Sequence, residues 1–288
     1  LKSTAFAAAK VNLYLHVAPP TPDGYHPIAS LMAFADVGDA VAAAPADDLS
    51  MAIDGPFGQG LSAGPDNLVL RAASALLARA GRPEAGAHLI LTKTLPIAAG
   101  LGGGSSDAGA ALRLLNAMHR LGLSEAELED VAADIGADGA ACLRARMLIA
   151  EGRGERLSPA PAMPPLPAVL VNPGVPSPTG AVYRAYDASG APGAADRPQP
   201  PSLKTTAAAA AWLASCRNDL EPPALGLEPR IGEALDALRG QPESLLTRMS
   251  GSGATCFALT ATRAGAESLA ARLAAAHPGW WVKACTLS

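Results

Sequence analysis

The stretch from Lys93 to Asp107, KTLPIAAGLGGGSSD, constrains this chain more than any other. Glycines at 100, 102, 103 and 104 allow backbone dihedrals that side chains forbid, and let the main chain approach a ligand closely. Residues 87–93, AHLILTK, read as a strand, and Ala108, Ala111, Leu112, Leu115 and Met118 recur at helical spacing. The order is strand, glycine loop, helix, with Ser105 and Ser106 placed to act as N-caps. Free N–H groups and the positive end of such a helix favour an anion, so the loop suits phosphate.

Two common nucleotide loops share that outline and fail on residues. A Walker loop requires Gly-Lys before Ser or Thr, and the chain contains no Gly-Lys pair. A dinucleotide fingerprint requires a third glycine five positions after the first, where Ser105 stands. Composition narrows the class further. The 288 residues are 49% hydrophobic with a net charge of −4, which describes a globular protein able to bury a sizeable core. No cluster of Lys and Arg marks a nucleic-acid surface. Cysteines 142, 216, 256 and 285 lack metal-ligand spacing and read as reduced core residues. The uncharged stretch 157–183 is long enough to cross a membrane, but its prolines exclude a regular spanning helix. Residues 10–17 alternate like a strand and do not resemble a secretory signal, so the expected protein is soluble and cytoplasmic, with no membrane association.

Strands and helices alternate along the chain, which predicts a mixed fold. Ser124 and Glu127 form a capping-box pattern, and Gly136 a helix stop. The proline-rich passage 159–167 reads as a linker, dividing the chain into domains of 1–155 and 156–288. Beyond it, 168–171 predicts a short strand, and 251–260 a glycine turn entering another. The alanine run 207–211 predicts a helix leading into Trp212, 264–276 another helix, and 281–285 a final strand. Residues 187–202, rich in Ala, Gly and Pro, read as a mobile loop.

Residues 96–110, the Gly-Ala-Asp at 136–138 and the SGSGATCF at 250–257 resemble the phosphate loop, catalytic-aspartate segment and C-terminal glycine motif of the GHMP kinases. Within that superfamily, the triple glycine before Ser-Ser, AKVNL at 9–13 and DGYH at 23–26 most resemble the kinases that act on a cytidine-diphosphate alcohol in non-mevalonate isoprenoid synthesis. The five motifs occur in family order between residues 9 and 257. The resemblance implies a two-domain α+β protein with its active site in the cleft between domains. It implies transfer of a phosphoryl group from ATP, with Mg²⁺, to the 2-hydroxyl of 4-diphosphocytidyl-2-C-methylerythritol. No protein partner is implied. A GHMP kinase of homoserine or mevalonate type is an alternative, as is a nucleotide-binding relative without catalysis.

Site residues follow from the same resemblance. Alternation in the first strand places Lys10, Asn12, Tyr14 and His16 on one face, opposite Val11, Leu13, Leu15 and Val17. A lysine there is by itself a solvated charge; in the family it stands beside the acceptor hydroxyl, with Asn12 on the substrate side. Asp138 reads as the N-cap of a short helix or, by resemblance, as the general base. Gly139 and Ala140 follow it where relatives often have a bulky apolar residue and proline. Tyr25 and His26 are implied to stack on and hydrogen-bond a cytosine, with Thr179 and Tyr183 on the same substrate. Tyr183 is equally readable as an ordinary half-buried aromatic. For ATP the candidates are Asn67, Lys93, Pro96, Gly100, Gly102, Gly103, Gly104, Ser105 and Ser106, where Asn67 also reads as a turn residue. Asp107 stands where relatives commonly have asparagine, either near Mg²⁺ or favouring the helix N-terminus. Gly251, Ser252 and Gly253 form either a hairpin turn or a turn close to the substrate phosphates or the phosphate loop. No protein residue is singled out as a metal ligand.

Overall fold

The computed structural model describes residues 3–190 and 193–288; part of the passage read as a mobile loop, Ala191 and Pro192, lies outside the described residues. The elements run β1 (Ser3–Val17), β2 (Ile28–Pro45), β3 (Leu49–Asp54), α1 (Leu68–Arg79), β4 (Ala87–Thr92), α2 (Gly103–Met118), α3 (Glu125–Ile135) and α4 (Gly139–Arg144). They continue as β5 (Leu148–Gly152), β6 (Arg156–Pro159), β7 (Leu166–Asn172), α5 (Thr179–Ala188), α6 (Thr206–Ala214) and α7 (Glu221–Leu227). The last five are α8 (Arg230–Arg239), β8 (Ser244–Met249), β9 (Cys256–Thr260), α9 (Arg263–Ala276) and β10 (Trp281–Leu287).

Two compact units interleave along the chain. The first holds the chain up to Ala9, Gly38–Leu95 and Gly102–Ala145. Here β3 pairs with β4 in parallel, and β4 pairs antiparallel with the end of β2, Ala40 opposite Thr92 through Pro45 opposite Ala87. Because β3 and β4 are parallel, the chain between them must cross over, and α1 makes that crossing. Val69, Leu70, Ala72, Ala73, Leu76 and Leu77 of α1 are buried at helical spacing, and all but Leu77 share a core with Leu112 and Leu115 of α2 and Val131 of α3. Ser124 and Glu127 make the reciprocal capping box at the start of α3, as their spacing predicts.

The second unit holds Lys10–Val37, Pro96–Leu101 and Arg146–Ser288. Strands β8, β9, β7 and β10 are antiparallel neighbours in that order. The first part of β2 pairs with β5, and β5 with β6. Val169, Val171, Leu235, Leu238, Leu269 and Leu273 belong to its core. The proline-rich passage 159–167 does not separate the units: it joins β6 to β7 inside the second. Its prolines interrupt a connection between strands, which carries the same composition as a linker. The predicted final strand and the helix before it are present as β10 and α9. The described ends of the 187–202 passage are tied down: Gly193 N–H donates to the Tyr186 hydroxyl, and Asp196 O lies 2.8 Å from His16 Nδ1.

Candidate active site

The glycine loop is built in two steps. Ala98, Gly100 and Gly102 all take positive φ (50°, 73° and 61°), so the chain turns repeatedly before α2 begins. At Gly100 the space is closed as well: a Cβ would lie 2.4 Å from Ser250 O and 2.8 Å from Gly253 O. Only glycine fits that approach of two main chains. Gly102, left-handed, occupies the N-cap position, and α2 starts at Gly103 with no side-chain cap. Ser105 and Ser106 therefore do not cap the helix; they lie inside its first turn. An N-cap needs extended backbone, and the loop has already turned at Gly102. The N–H groups without an intrahelical partner at this end are those of Gly102, Gly103, Gly104 and Ser105, the kind of array that favours an anion. Ser106 is buried, and its Oγ has no hydrogen-bond partner among the described residues.

A compact charge cluster lies under this turn. Lys93, just past β4, is 4% exposed, and its Nζ donates to Asp39 Oδ2 at 2.5 Å and to Asp107 Oδ2 at 2.6 Å. A Cβ on Gly103 would stand 2.9 Å from the same Nζ. Asp39, on β2, also accepts from the N–H groups of Thr94 and Leu95 through Oδ1. One carboxylate thus fixes the exit of β4, the other the first turn of α2, and the ammonium joins them. Burial alone would lower the Lys93 pKa, but Asp107 and Asp39 more than offset this and raise it. Burial pushes the Asp107 carboxyl up to about 7, with Lys93 opposing and Asp39 adding to the shift. Asp107, read as a metal or helix-terminus residue, is thus an ion-pair partner of Lys93, and its buried Oδ1 has no hydrogen-bond partner among the described residues.

The other candidates of the first unit are Asn67 and Asp138. Asn67 caps α1, accepting from Val69 N–H at 2.9 Å and donating to Ser62 O at 2.8 Å, so its side chain serves the turn. Its neighbour Leu68 comes within 3.1 Å of where a Cβ on Gly104 would be. Asp138 occupies the N-cap position of α4, but its side chain makes no capping bond.

In the second unit, Lys10 is 4% exposed, not solvated, and donates to Asn12 Oδ1 at 2.8 Å, as side chains two apart on a strand can. Asn12 Nδ2 donates to Ser30 Oγ. The Ser250 hydroxyl accepts from Asn12 N–H at 3.1 Å and donates to Gly100 O at 2.9 Å, tying β1 to the glycine loop. Gly251 and Gly253 have positive φ (57° and 84°), as a tight turn requires. Asn218 holds this turn by donating to Met249 O and Gly251 O. Thr179 Oγ1 lies 2.9 Å from Ser252 Oγ. Tyr25 is 57% exposed, in a turn closed by Gly24 at φ 83°, with the Arg153 guanidinium 4.2 Å from its ring centroid. His26 packs on Tyr183, ring centroids 4.8 Å apart.

The structure brings together Lys10 with Asn12, Gly100 with Gly253, Thr179 with Ser252, His26 with Tyr183, and Lys93 with Gly103. Asp39, Ser250, Asn218, Arg153 and Asp187 were not singled out from sequence. Only Ser250 had a local signal, its place in the glycine motif; the others act on partners far away in the chain. Burial pushes the thiols of Cys216, Cys256 and Cys285 above the ordinary range, as befits inert core residues. Among the described residues no group of three or more His, Cys, Asp or Glu could hold a metal ion, and no helix is long and apolar enough to cross a membrane.

Comparison with known proteins gives the family. The GHMP kinases N terminal domain matches residues 67–146, and GHMP kinases C terminal matches 203–279. A 4-diphosphocytidyl-2-C-methyl-D-erythritol kinase of Caulobacter vibrioides is 64% identical over 290 residues, covering all of both chains. The crystal structure of a 4-(cytidine 5'-diphospho)-2C-methyl-D-erythritol kinase superposes with a TM-score of 0.78 at 35% identity, covering 99% of each chain. A homoserine kinase from Cytophaga hutchinsonii shares the fold, with a TM-score of 0.71 at 18% identity over 98% of this chain and 94% of its own. The chain is therefore a small-molecule kinase and belongs to the GHMP kinases, in the group whose relatives carry the name 4-diphosphocytidyl-2-C-methyl-D-erythritol kinase.

Proposed function

We propose that this kinase transfers the γ-phosphoryl group of ATP to the 2-hydroxyl of 4-diphosphocytidyl-2-C-methyl-D-erythritol, giving the 2-phosphate and ADP. The observation that carries the substrate is His26 packed on Tyr183, next in sequence to the exposed Tyr25, in a chain 64% identical, end to end, to a kinase of that name. An exposed tyrosine and a histidine set against a second aromatic ring suit an aromatic base with polar edges.

The chain's residues divide the work. The N–H groups at Gly102, Gly103, Gly104 and Ser105 hold the phosphates of ATP, while Pro96 and Gly100 shape the approach and Asn67 and Lys93 support it from behind. Asp138 takes the proton of the attacking hydroxyl, and Lys10, oriented by Asn12, offsets negative charge on the transferred group. Thr179, Gly251, Ser252 and Gly253 bind the substrate's phosphate side. Bound Mg²⁺ would neutralise charge on the ATP phosphates. The Ser106 hydroxyl, which has no hydrogen-bond partner among the described residues, would be the protein group available to such an ion, with the ATP phosphates supplying the negative charge. The protein acts as a cytoplasmic enzyme without an obligate partner.

ADP release measured with Mg²⁺-ATP and, separately, the diphosphocytidyl alcohol, homoserine and mevalonate tests this reading. Turnover confined to the first is expected. Turnover with another alcohol would replace the substrate, and ATP binding without turnover on any would point to a non-catalytic nucleotide-binding role.

A further inference from the structure

Helix α5 presents Tyr183, Tyr186 and Asp187 on one side, since positions three and four apart share a helix face. His26 meets all three. Its ring centroid lies 4.8 Å from that of Tyr183 and 6.0 Å from that of Tyr186, and its Nε2 is 2.7 Å from Asp187 Oδ1. Tyr186 is itself anchored, donating to Val17 O at 2.8 Å and accepting from Gly193 N–H at 2.7 Å. The His26 side chain is 8% exposed, while that of Asp187 is 42% exposed. The imidazole is thus held in its plane by two aromatic rings and against rotation by one carboxylate.

An ionised carboxylate only accepts hydrogen bonds. A 2.7 Å contact to Asp187 therefore requires the proton on Nε2, and in neutral imidazole the lone pair then resides on Nδ1. Among the described residues Nδ1 of His26 has no partner. His16 shows the contrasting case: its Nε2 accepts from Arg217 N–H at 3.0 Å and its Nδ1 lies 2.8 Å from Asp196 O, so both nitrogens serve the fold.

We infer that Asp187 is a specificity-determining positioning residue, fixing His26 as the Nε2–H tautomer so that Nδ1 is offered as an acceptor to the exocyclic amino group of a cytosine. The inference rests on the proposed substrate and adds the reason for its base. Cytosine carries an N–H donor at position 4 where uracil carries a carbonyl oxygen. An Nδ1 lone pair accepts from the first and opposes the second. With the other tautomer the preference would invert.

The test has two arms. In ¹⁵N-resolved NMR of the full-length protein at alkaline pH, with the His26 signal assigned by its loss in His26→Gln, Nε2 should carry the proton and Nδ1 should not. In kinetics, Asp187→Ala should raise the Michaelis constant for the cytidylyl substrate about tenfold, the worth of one hydrogen bond to a well-oriented group, with kcat and the Michaelis constant for ATP little changed. It should also reduce the preference for the cytidylyl over the matching uridylyl substrate. Asp187→Asn, whose amide oxygen still accepts, should restore most of that preference. A proton on Nδ1, or an Asp187→Ala enzyme with undiminished base preference, would overturn the inference. A wild-type enzyme indifferent to the base would instead overturn the substrate reading, and the NMR arm would still decide the tautomer.

Discussion

The start of α2 and the Tyr25–His26 neighbourhood are built in opposite ways. At α2 the helix starts on glycines with no side-chain cap, and the charged side chains nearby are buried and compensate one another. At Tyr25 and His26 the side chains themselves are offered, one of them largely exposed. Under the proposed function, phosphate recognition of the first kind tolerates no added Cβ where backbones meet, and it depends on a buried cluster to keep the loop in shape. Under the same proposal, base recognition of the second kind depends on individual side chains.

The largest effect should come from a residue outside both regions. Asp138→Ala is expected to lower kcat by about 10² to 10⁴, the range for loss of a general base, with ATP affinity nearly unchanged. Wild-type turnover in a folded variant would remove Asp138 from the mechanism. Lys93→Met comes next, because it leaves Asp39 and Asp107 buried without their cation. Breaking a buried pair this way costs about 3–5 kcal/mol, readable as a lower urea midpoint. A midpoint equal to wild type would show that the cluster does not support the loop.

Gly100→Ala combines a positive φ with a Cβ placed against backbone oxygens, and strain of this kind costs about 1–3 kcal/mol. Gly104→Ala is the matched control: its Cβ meets only the flexible tip of Leu68, at 3.1 Å, so its effect on stability should be smaller. Equal losses from the two would erase the distinction between a sterically closed and an open glycine. Tyr25→Ala should raise the Michaelis constant for the cytidylyl substrate by the worth of one stacked base, about 1–3 kcal/mol, and leave both stability and the constant for ATP unaltered. A matching fall in thermal stability would mean that Tyr25 belongs to the fold after all.

The smallest effect is a pH dependence. Asp107 titrates near 7 in the folded protein and in the ordinary carboxylate range when unfolded, so the folded state holds a proton that the unfolded chain releases first. Stability from this group is therefore greatest at low pH and declines as pH rises from about 4 to about 7. Asp107→Asn should flatten that part of the melting-temperature profile. An unchanged slope would place the proton elsewhere in the cluster.

Much of the first region was legible in sequence because its determinants are local. The loop glycines and the helical spacing after them lie within a few residues of what they control, as does the capping box of Ser124 and Glu127 on α3. The serines misled because Gly102 already occupies the cap position, which depends on dihedrals that spacing does not reveal. Strand β2 left no alternating signal: Ala29 through Ala35 are buried on both faces, and the run is rich in alanine, a helix former. The partners in the second region lie far apart in the chain, 161 residues in the case of His26 and Asp187. Asp39 likewise reaches Lys93 across 54 residues, a pairing that only the folded sheet creates.

The most direct measurement is ³¹P NMR of the product formed from ATP and 4-diphosphocytidyl-2-C-methyl-D-erythritol, by wild-type protein and by Asp138→Asn. A new phosphomonoester on the 2-hydroxyl, with the diphosphate bridge intact, is expected from the wild type and nearly absent with the variant. A product phosphorylated elsewhere, or equal yields from both proteins, would contradict the proposed transfer.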